Sequence, residues 1–298
     1  MVEKNKSWFR KHWILTSFLA LIILIVLILI LGSFNSKNSS SNNISINNTS
    51  LTWQDKISEI EHKYNIELEY KTLPVLSYSK YSANVTVLSE EDKDALAKYV
   101  DIFYMEFNRY PQDFIKNTGL KKIAFVKNLS VIGQNRAAMP LPKIKTVFYD
   151  IYLGNDDKEY QQEVIHHEFY HLIEANINGD SYYKDPVWAK FNNPNFRYGS
   201  GGASAYDNPE QYTNKVPESG FISTYSTYGL EEDKAEIFAN LMVPKLYKEM
   251  HSKIANDAIL NKKVNYMKDF LSKYSEHMNE DFWQKIFLSV NIIFIRLQ

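Results

Sequence analysis

The pattern of apolar and polar positions divides the chain into three stretches. Residues 13–31 form an almost unbroken apolar run of nineteen residues. As a helix, that run is long enough to cross a hydrocarbon core of about 30 Å. Residues 32–50, dominated by Ser and Asn, then offer too little apolar surface to offset the entropy of ordering. They read as a flexible linker. From residue 51 onward apolar residues recur with helical and strand periods, so residues 51–298 are expected to fold.

Within that region, residues 53–69 read as a helix running into a strand, and residues 75–79 as an extended segment. Ser89-Glu90-Glu91-Asp92 carries the signature of a helix start, with Ser89 as N-cap and Asp92 three residues on. The helix is expected to run to about Arg109, turning Leu96, Tyr99, Val100 and Phe103 inward, and to stop at Tyr110-Pro111. Residues 122–126 read as a short buried strand. Residues 145–153 have the β-branched and aromatic content of another, closed by the turn Gly154-Asn155-Asp156-Asp157. An apolar helix-forming run then covers residues 163–177.

The stretch 179–220 is polar and rich in Asn, Gly, Pro and Tyr, and segments of that length are usually functional or disordered. Trp188, Phe191, Phe196 and Tyr198 indicate that it packs, either as a wall of a cleft or as a surface excursion. Residues 231–242 place Ala235, Phe238, Ala239 and Met242 at offsets 0, 3, 4 and 7, the apolar face of a helix. Pro244 kinks or ends it. Helical sequence resumes over 251–278, and residues 281–297 form a last apolar helix docked on the core. Gln284, Lys285 and Asn291 interrupt that helix too often for it to span a membrane.

Charge adds orientation to this picture. Lys4, Lys6, Arg10 and Lys11 precede the apolar run, against Glu3 alone. The positive-inside rule then leaves residues 1–12 cytoplasmic and the folded part outside. A cleaved signal peptide is the competing reading, but Leu31-Gly32-Ser33 makes a poor cleavage site, and a retained anchor is preferred. The sequence has no Cys, which excludes disulfides, Cys-bound metals and a lipoprotein anchor. Past residue 12 there remain 30 basic against 34 acidic residues with no basic stripe, so nucleic acid is not an expected partner. The 14% aromatic content suits a peptide-gripping groove and equally an aromatic-rich core.

The chemistry lies in His167-Glu168-Phe169-Tyr170-His171, inside the helical run at 163–177. Positions i and i+4 of a helix share a face, so His167 and His171 can offer two imidazole nitrogens to one zinc ion. Glu168 can reach a metal-bound water and take its proton. A catalytic zinc needs a third protein ligand. Glu174, one turn past His171 on the same helix, is badly placed to complete a tetrahedron and reads as a solvated or supporting group. Glu232 and Glu236, four apart on the second helix, point the same way. One can bind zinc while the other accepts the free ring N–H of a ligand His. His166 points about 100° away from His167 and is expected to be structural.

His167-Glu168-x-x-His171, followed by Gly220-Phe221-Ile222-Ser223-x-Tyr225 and Glu232-Asp233-x-Ala235-Glu236, resembles the putative zinc-binding metallopeptidases. These are gluzincins similar to the catalytic domain of anthrax lethal factor and to the Pro-Pro endopeptidases. The resemblance covers residues 89–246. It implies an α+β, zincin-like metallopeptidase domain: a small mixed sheet, an active-site helix and a mostly helical C-terminal half. It implies one Zn2+ per chain held by His167, His171 and Glu232, Glu168 as base, and Glu236 bonded to a zinc-bound His. Tyr225 would stabilise the oxyanion. Tyr228, in Tyr228-Gly229, is the other candidate phenol, and Tyr225 is preferred on its spacing to Glu232. By the resemblance, residues 145–153 are the candidate for an edge strand that pairs with extended substrate, with an interior strand as the alternative. The long insert between His171 and Glu232 departs from the shorter lethal-factor-like enzymes.

The expected function is a zinc-dependent endopeptidase acting on peptides or proteins at the cell surface, single-pass and facing outward. It would be secreted if the anchor is cut. A non-catalytic surface module with a structural zinc, and a metal hydrolase acting on a non-peptide amide, are the rival readings.

Overall fold

In sequence order the elements are α1 (Trp53–Tyr64), β1 (Glu67–Glu69), β2 (Ala83–Thr86), α2 (Lys93–Phe107), α3 (Gln112–Thr118), β3 (Lys122–Val131), β4 (Gln134–Asn135), β5 (Ala138–Leu141) and β6 (Thr146–Asp150). There follow α4 (Lys158–Asn178), α5 (Pro186–Ala189), α6 (Leu230–Met242), α7 (Pro244–Ile254), α8 (Ala258–Ser272) and α9 (Glu280–Ile295). The structure is a computed structural model that describes residues 51–73, 83–207 and 218–295. The predicted membrane span at 13–31, the linker at 32–50 and the extended segment at 75–79 lie outside the described residues. Among the described residues no helix is long and apolar enough to cross a membrane. The architecture is α+β, with a small mixed sheet in the first half and helices in the second.

Local signals account for most boundaries. Ser89 donates its N–H and hydroxyl to the Asp92 carboxylate at 2.6 and 2.9 Å, which opens the turn into α2. Leu96, Tyr99, Val100 and Phe103 are buried, as the period required. Pro111 caps α3, so the backbone turns there and does not extend α2. The helix expected over 251–278 is two helices. Pro244 opens α7 at its first turn, and the Asp257 carboxylate accepts the N–H groups of Ile259 and Leu260 at 3.0 and 2.9 Å to start α8. The last helix, α9, buries Trp283 and Ile286 in the main core.

The sheet runs β1-β3-β6-β5, with β1 and β6 parallel to β3 and β5 antiparallel to β6. All five residues of β6 are buried, the pattern of an interior strand covered on both faces. The segment 145–153 is therefore not the edge; β5 lies outside it. This corrects the edge-strand expectation in favour of the interior-strand alternative, because β6 lies between β3 and β5 and is buried at every position. One face of the sheet packs on the helices in the main core. The other face carries a smaller cluster of Ala124, Val126, Leu129, Met139, Leu141 and Phe148.

Helix α4 begins at the Asp157 cap, whose carboxylate accepts the Tyr160 N–H at 3.0 Å, and ends at Gly179 with φ 80°. It packs against α6, all thirteen residues of which are buried. Beneath α4 lies a buried polar knot. The Tyr110 hydroxyl donates to His166 Nδ1 at 2.6 Å, and His166 Nε2–H donates to Glu106 at 3.2 Å. Arg109 Nε donates to the same carboxylate at 2.9 Å. Burial alone would raise the Glu106 pKa, but the bond from His166 and the Arg109 charge outweigh it and hold the group down at about 2.

That depression sets a sign. A carboxylate whose folded pKa lies below its unfolded value of 4.5 adds stability that is complete above 4.5 and lost as pH falls toward 2. The loss is on the order of 3 kcal/mol. Urea unfolding of the wild type should show this acid slope, and Glu106→Gln should flatten it. An unchanged slope in the variant would show that other groups carry the acid sensitivity.

Candidate metal centre

Two crossing helices build the site. Within α4, His167 and His171 fall one turn apart on the face that meets α6, and Glu232 projects from the first turn of α6 between them. Their donor atoms form a triangle. His167 Nε2 lies 3.0 Å from Glu232 Oε2 and 3.3 Å from His171 Nε2, and His171 Nε2 lies 3.4 Å from Glu232 Oε2. Zinc–ligand bonds of about 2.0–2.1 Å in a tetrahedron separate ligand atoms by about 3.3 Å. Two imidazoles and a carboxylate at this spacing fit a zinc ion, with a fourth position left for water or substrate.

Each donor is oriented by neighbours. His167 Nδ1 donates to Glu236 Oε1 at 3.0 Å, which frees Nε2 for a metal. Ser223 Oγ donates to the other oxygen of Glu236 at 2.6 Å. Ser223 lies in a motif quoted above, yet sequence reasoning gave it no role; a hydroxyl thirteen residues from its partner leaves no periodic trace. For Glu232, burial alone would raise the pKa, but the His171 charge and the bond from His167 hold it well below the carboxylate range. For His167, burial would lower the pKa, but Glu232 and Glu236 lift it well above 6.5. Protons and a cation thus compete for the same triangle.

Glu168 faces the opposite condition. Burial raises its carboxyl pKa, Glu232 adds to that, and the His167, His171 and Arg136 charges oppose it. Glu168 thus holds its proton more firmly than an ordinary carboxyl while lying beside the donor triangle.

Tyr225 sits in a short helical turn just before α6. Its ring centroid is 5.8 Å from that of His167. A Cβ placed on Gly202 would lie 2.5 Å from the Tyr225 hydroxyl and 1.9 Å from Glu232 Oε1, so both groups converge on one point under the Gly202 backbone. Tyr228 instead supplies backbone, its carbonyl accepting the Gly201 N–H at 2.7 Å. The described part of the 179–220 stretch therefore packs onto the metal centre. Trp188 Nε1 and the Tyr198 hydroxyl both donate to Asp233, at 2.8 and 2.6 Å.

Of the two roles read from sequence for Glu174, a solvated or a supporting group, burial excludes the solvated one. The residue is fully buried and paired with Lys234 of α6. Its partner lies sixty residues away, so only the folded protein reveals the pair.

No curated protein matches the sequence. Among solved structures, the protein is similar to one described as a putative zinc-binding metallo-peptidase from Bacteroides caccae. The identity is 18% and the TM-score 0.47, over 79% of this chain and 89% of that one. A family model described as "Putative zinc-binding metallo-peptidase" matches residues 52–283, a span that contains both helices of the metal centre. The chain belongs to that putative zinc-binding metallo-peptidase family.

Proposed function

We propose that the protein is a zinc-dependent endopeptidase of the gluzincin type, with His167, His171 and Glu232 as the ligands of one zinc ion. The observation that carries this reading is the donor triangle of 3.0, 3.3 and 3.4 Å, with Glu168 one residue from its first corner. A zinc ion held there lowers the pKa of a bound water to about 7 and polarises a carbonyl. The protein's own groups do the rest. Glu168 takes the proton of the attacking water and passes it to the leaving amine. The Tyr225 hydroxyl donates to the oxyanion that develops on the scissile carbonyl. Glu236, steadied by Ser223, fixes the His167 ring so that Nε2 faces the ion.

The substrate is a peptide in extended form. Asp150 N–H donates to Ala137 O at 2.8 Å, so in the β5/β6 ladder the alternate residue Ala138 turns its N–H and C=O to the open edge. Pro140 lies on that same side and has no N–H, a residue suited to an unpaired edge. A peptide can add there as a further strand. The apolar run at 13–31 and the basic residues before it support a membrane anchor with the catalytic domain at the outer cell surface.

Metal analysis of the full-length protein should give one zinc per molecule. Glu232→Ala should lose it or bind it at least about a hundredfold more weakly. Glu168→Gln should keep zinc and lose peptide hydrolysis. Absence of zinc from folded, reconstituted wild type would sink the proposal, and zinc loss in Glu168→Gln would overturn the division of roles.

For the phenol, Tyr225→Phe should retain zinc and lower kcat by roughly 10²–10³ with little change in KM, the cost of one oxyanion donor. Tyr228→Phe should change kcat by less than about threefold. The reverse ranking in steady-state kinetics would move the oxyanion role to Tyr228.

A further inference from the structure

The metal triangle is one end of a longer polar ladder across the crossing of α4 and α6. On α4, Glu163, His167 and His171 are spaced by four and share one face. On α6, Glu232, Glu236 and Asn240 have the same spacing. The two rows meet in opposite directions, so each step of four up α4 answers a step of four down α6. His171 meets Glu232, with Nε2 3.4 Å from Oε2. His167 meets Glu236, Nδ1 donating to Oε1 at 3.0 Å. Glu163 meets Asn240, whose Nδ2 donates to Glu163 Oε1 at 3.1 Å. The first two rungs belong to the chemistry above. The third has no part in it.

That third rung lies inside the protein. Asn240 is 5% exposed and Glu163 is half-buried. The Asn240 amide also donates to the backbone carbonyl of Glu236 at 3.1 Å. One side chain thus joins Glu163 to the helical turn that carries Glu236. Ser223 steadies the Glu236 carboxylate itself, donating at 2.6 Å. Burial and the neighbouring Glu236 charge push the Glu163 carboxyl up to about 8. It keeps its proton at neutral pH, and the rung adds no second charge beside Glu236.

From this alignment we infer that Glu163 and Asn240 are positioning residues of the metal centre, holding Glu236 in register with His167 so that the imidazole keeps Nε2 toward the ion. The inference rests on the zinc reading above and adds a third pair of residues to it.

The lever is short. A helical turn rises about 5.4 Å, so the Glu163–Asn240 rung stands one turn from the His167–Glu236 rung. Without the outer rung, α6 can turn or slide against α4 at that level, and the bond from His167 Nδ1 to Glu236 loosens. That bond sets the ring tautomer and the direction of Nε2. Loss of a group bonded to a ligand His typically weakens metal binding by about ten- to a hundredfold. Glu163 and Asn240 act one contact further out, so the lower end, about tenfold, is expected.

The test uses the full-length protein as wild type, Glu163→Ala, Asn240→Ala, the two combined, and Glu163→Gln. Zinc affinity is read by competition with a chelator, and the stability of the zinc-free protein by urea unfolding. Each alanine variant should bind zinc about tenfold more weakly. The combination should be no worse than either alone, because both remove the same bond. Glu163→Gln keeps an Oε1 acceptor for Asn240 and should bind within about threefold of wild type. A rung that only braces the fold would lower zinc-free stability and leave zinc affinity unchanged. That result, or losses that add in the combined variant, overturns the inference and leaves the zinc reading standing. Should Glu163→Ala not fold, Asn240→Ala alone carries the same expectation. If folded wild type takes up no zinc, the zinc reading fails, and exchange of the His167 Nδ1 proton with water, followed by NMR in the zinc-free protein, decides the rest. Exchange faster by about tenfold in Asn240→Ala upholds the positioning role, and an unchanged rate removes it.

Discussion

The structure depends on a constraint set by α6, a helix buried on every side that nonetheless carries ionisable side chains in its first two turns. A buried charge without a partner costs several kcal/mol. Glu232, Asp233, Lys234 and Glu236 are answered by other elements. Asp233 pairs with Lys263 of α8 at 2.7 Å, and Lys234 pairs with Glu174 of α4 and lies 3.6 Å from Asp185. Glu232 stands before this pair of opposed charges and meets the two imidazoles of α4. The rotation of α6 about its own axis is thereby fixed by contacts on either side of the residue that completes the metal triangle.

The same contacts recruit the long stretch after α4. Asp233 gathers Trp188, Tyr198 and Lys263, and Lys263 also donates to Gly220 O at 2.8 Å. Asp185 caps α5 through the N–H groups of Val187 and Trp188 and accepts a bond from the Tyr266 hydroxyl. These anchors carry the backbone to Gly201 and Gly202, where φ is 93° at Gly201 and any side chain on Gly202 would strike Glu232. Glycine is required at Gly202 because backbone there approaches the Glu232 carboxylate directly. The described part of this stretch lies against Glu232 and Tyr225 at Gly202.

What could be read from sequence was what local spacing dictates. His167 and His171 share a helical face by arithmetic, and Glu236 stood out because a carboxylate interrupts an apolar stripe. The capping residues Ser89 and Asp92, and the inward face of α2, follow from positions a few residues apart. What escaped depends on pairing over long separations. The burial of Glu174 needs Lys234, and the support of Glu236 by Ser223 needs a turn that no period encodes. The edge strand was misplaced because β6 is rich in strand-forming residues, and the shorter β5 is not. Pro140 was the available signal, since proline within a strand belongs at an edge.

The two carboxylates nearest the triangle show why the helix crossing matters chemically. Glu168 and Glu232 are the same residue type, both set against the same histidines, yet their proton affinities move apart. Glu232 lies between two imidazoles, and their attraction overcomes the burial that would raise it. Glu168 lies to one side, where burial prevails over the weaker pull of His167, His171 and Arg136. A metal ligand must stay ionised, and a group that shuttles protons must exchange them near neutral pH. Environment alone separates the two carboxylates in the direction these proposed tasks require, and that environment is the crossing of α4 and α6. Any change that rotates one helix against the other therefore disturbs the donor triangle and the surroundings of Glu168 together.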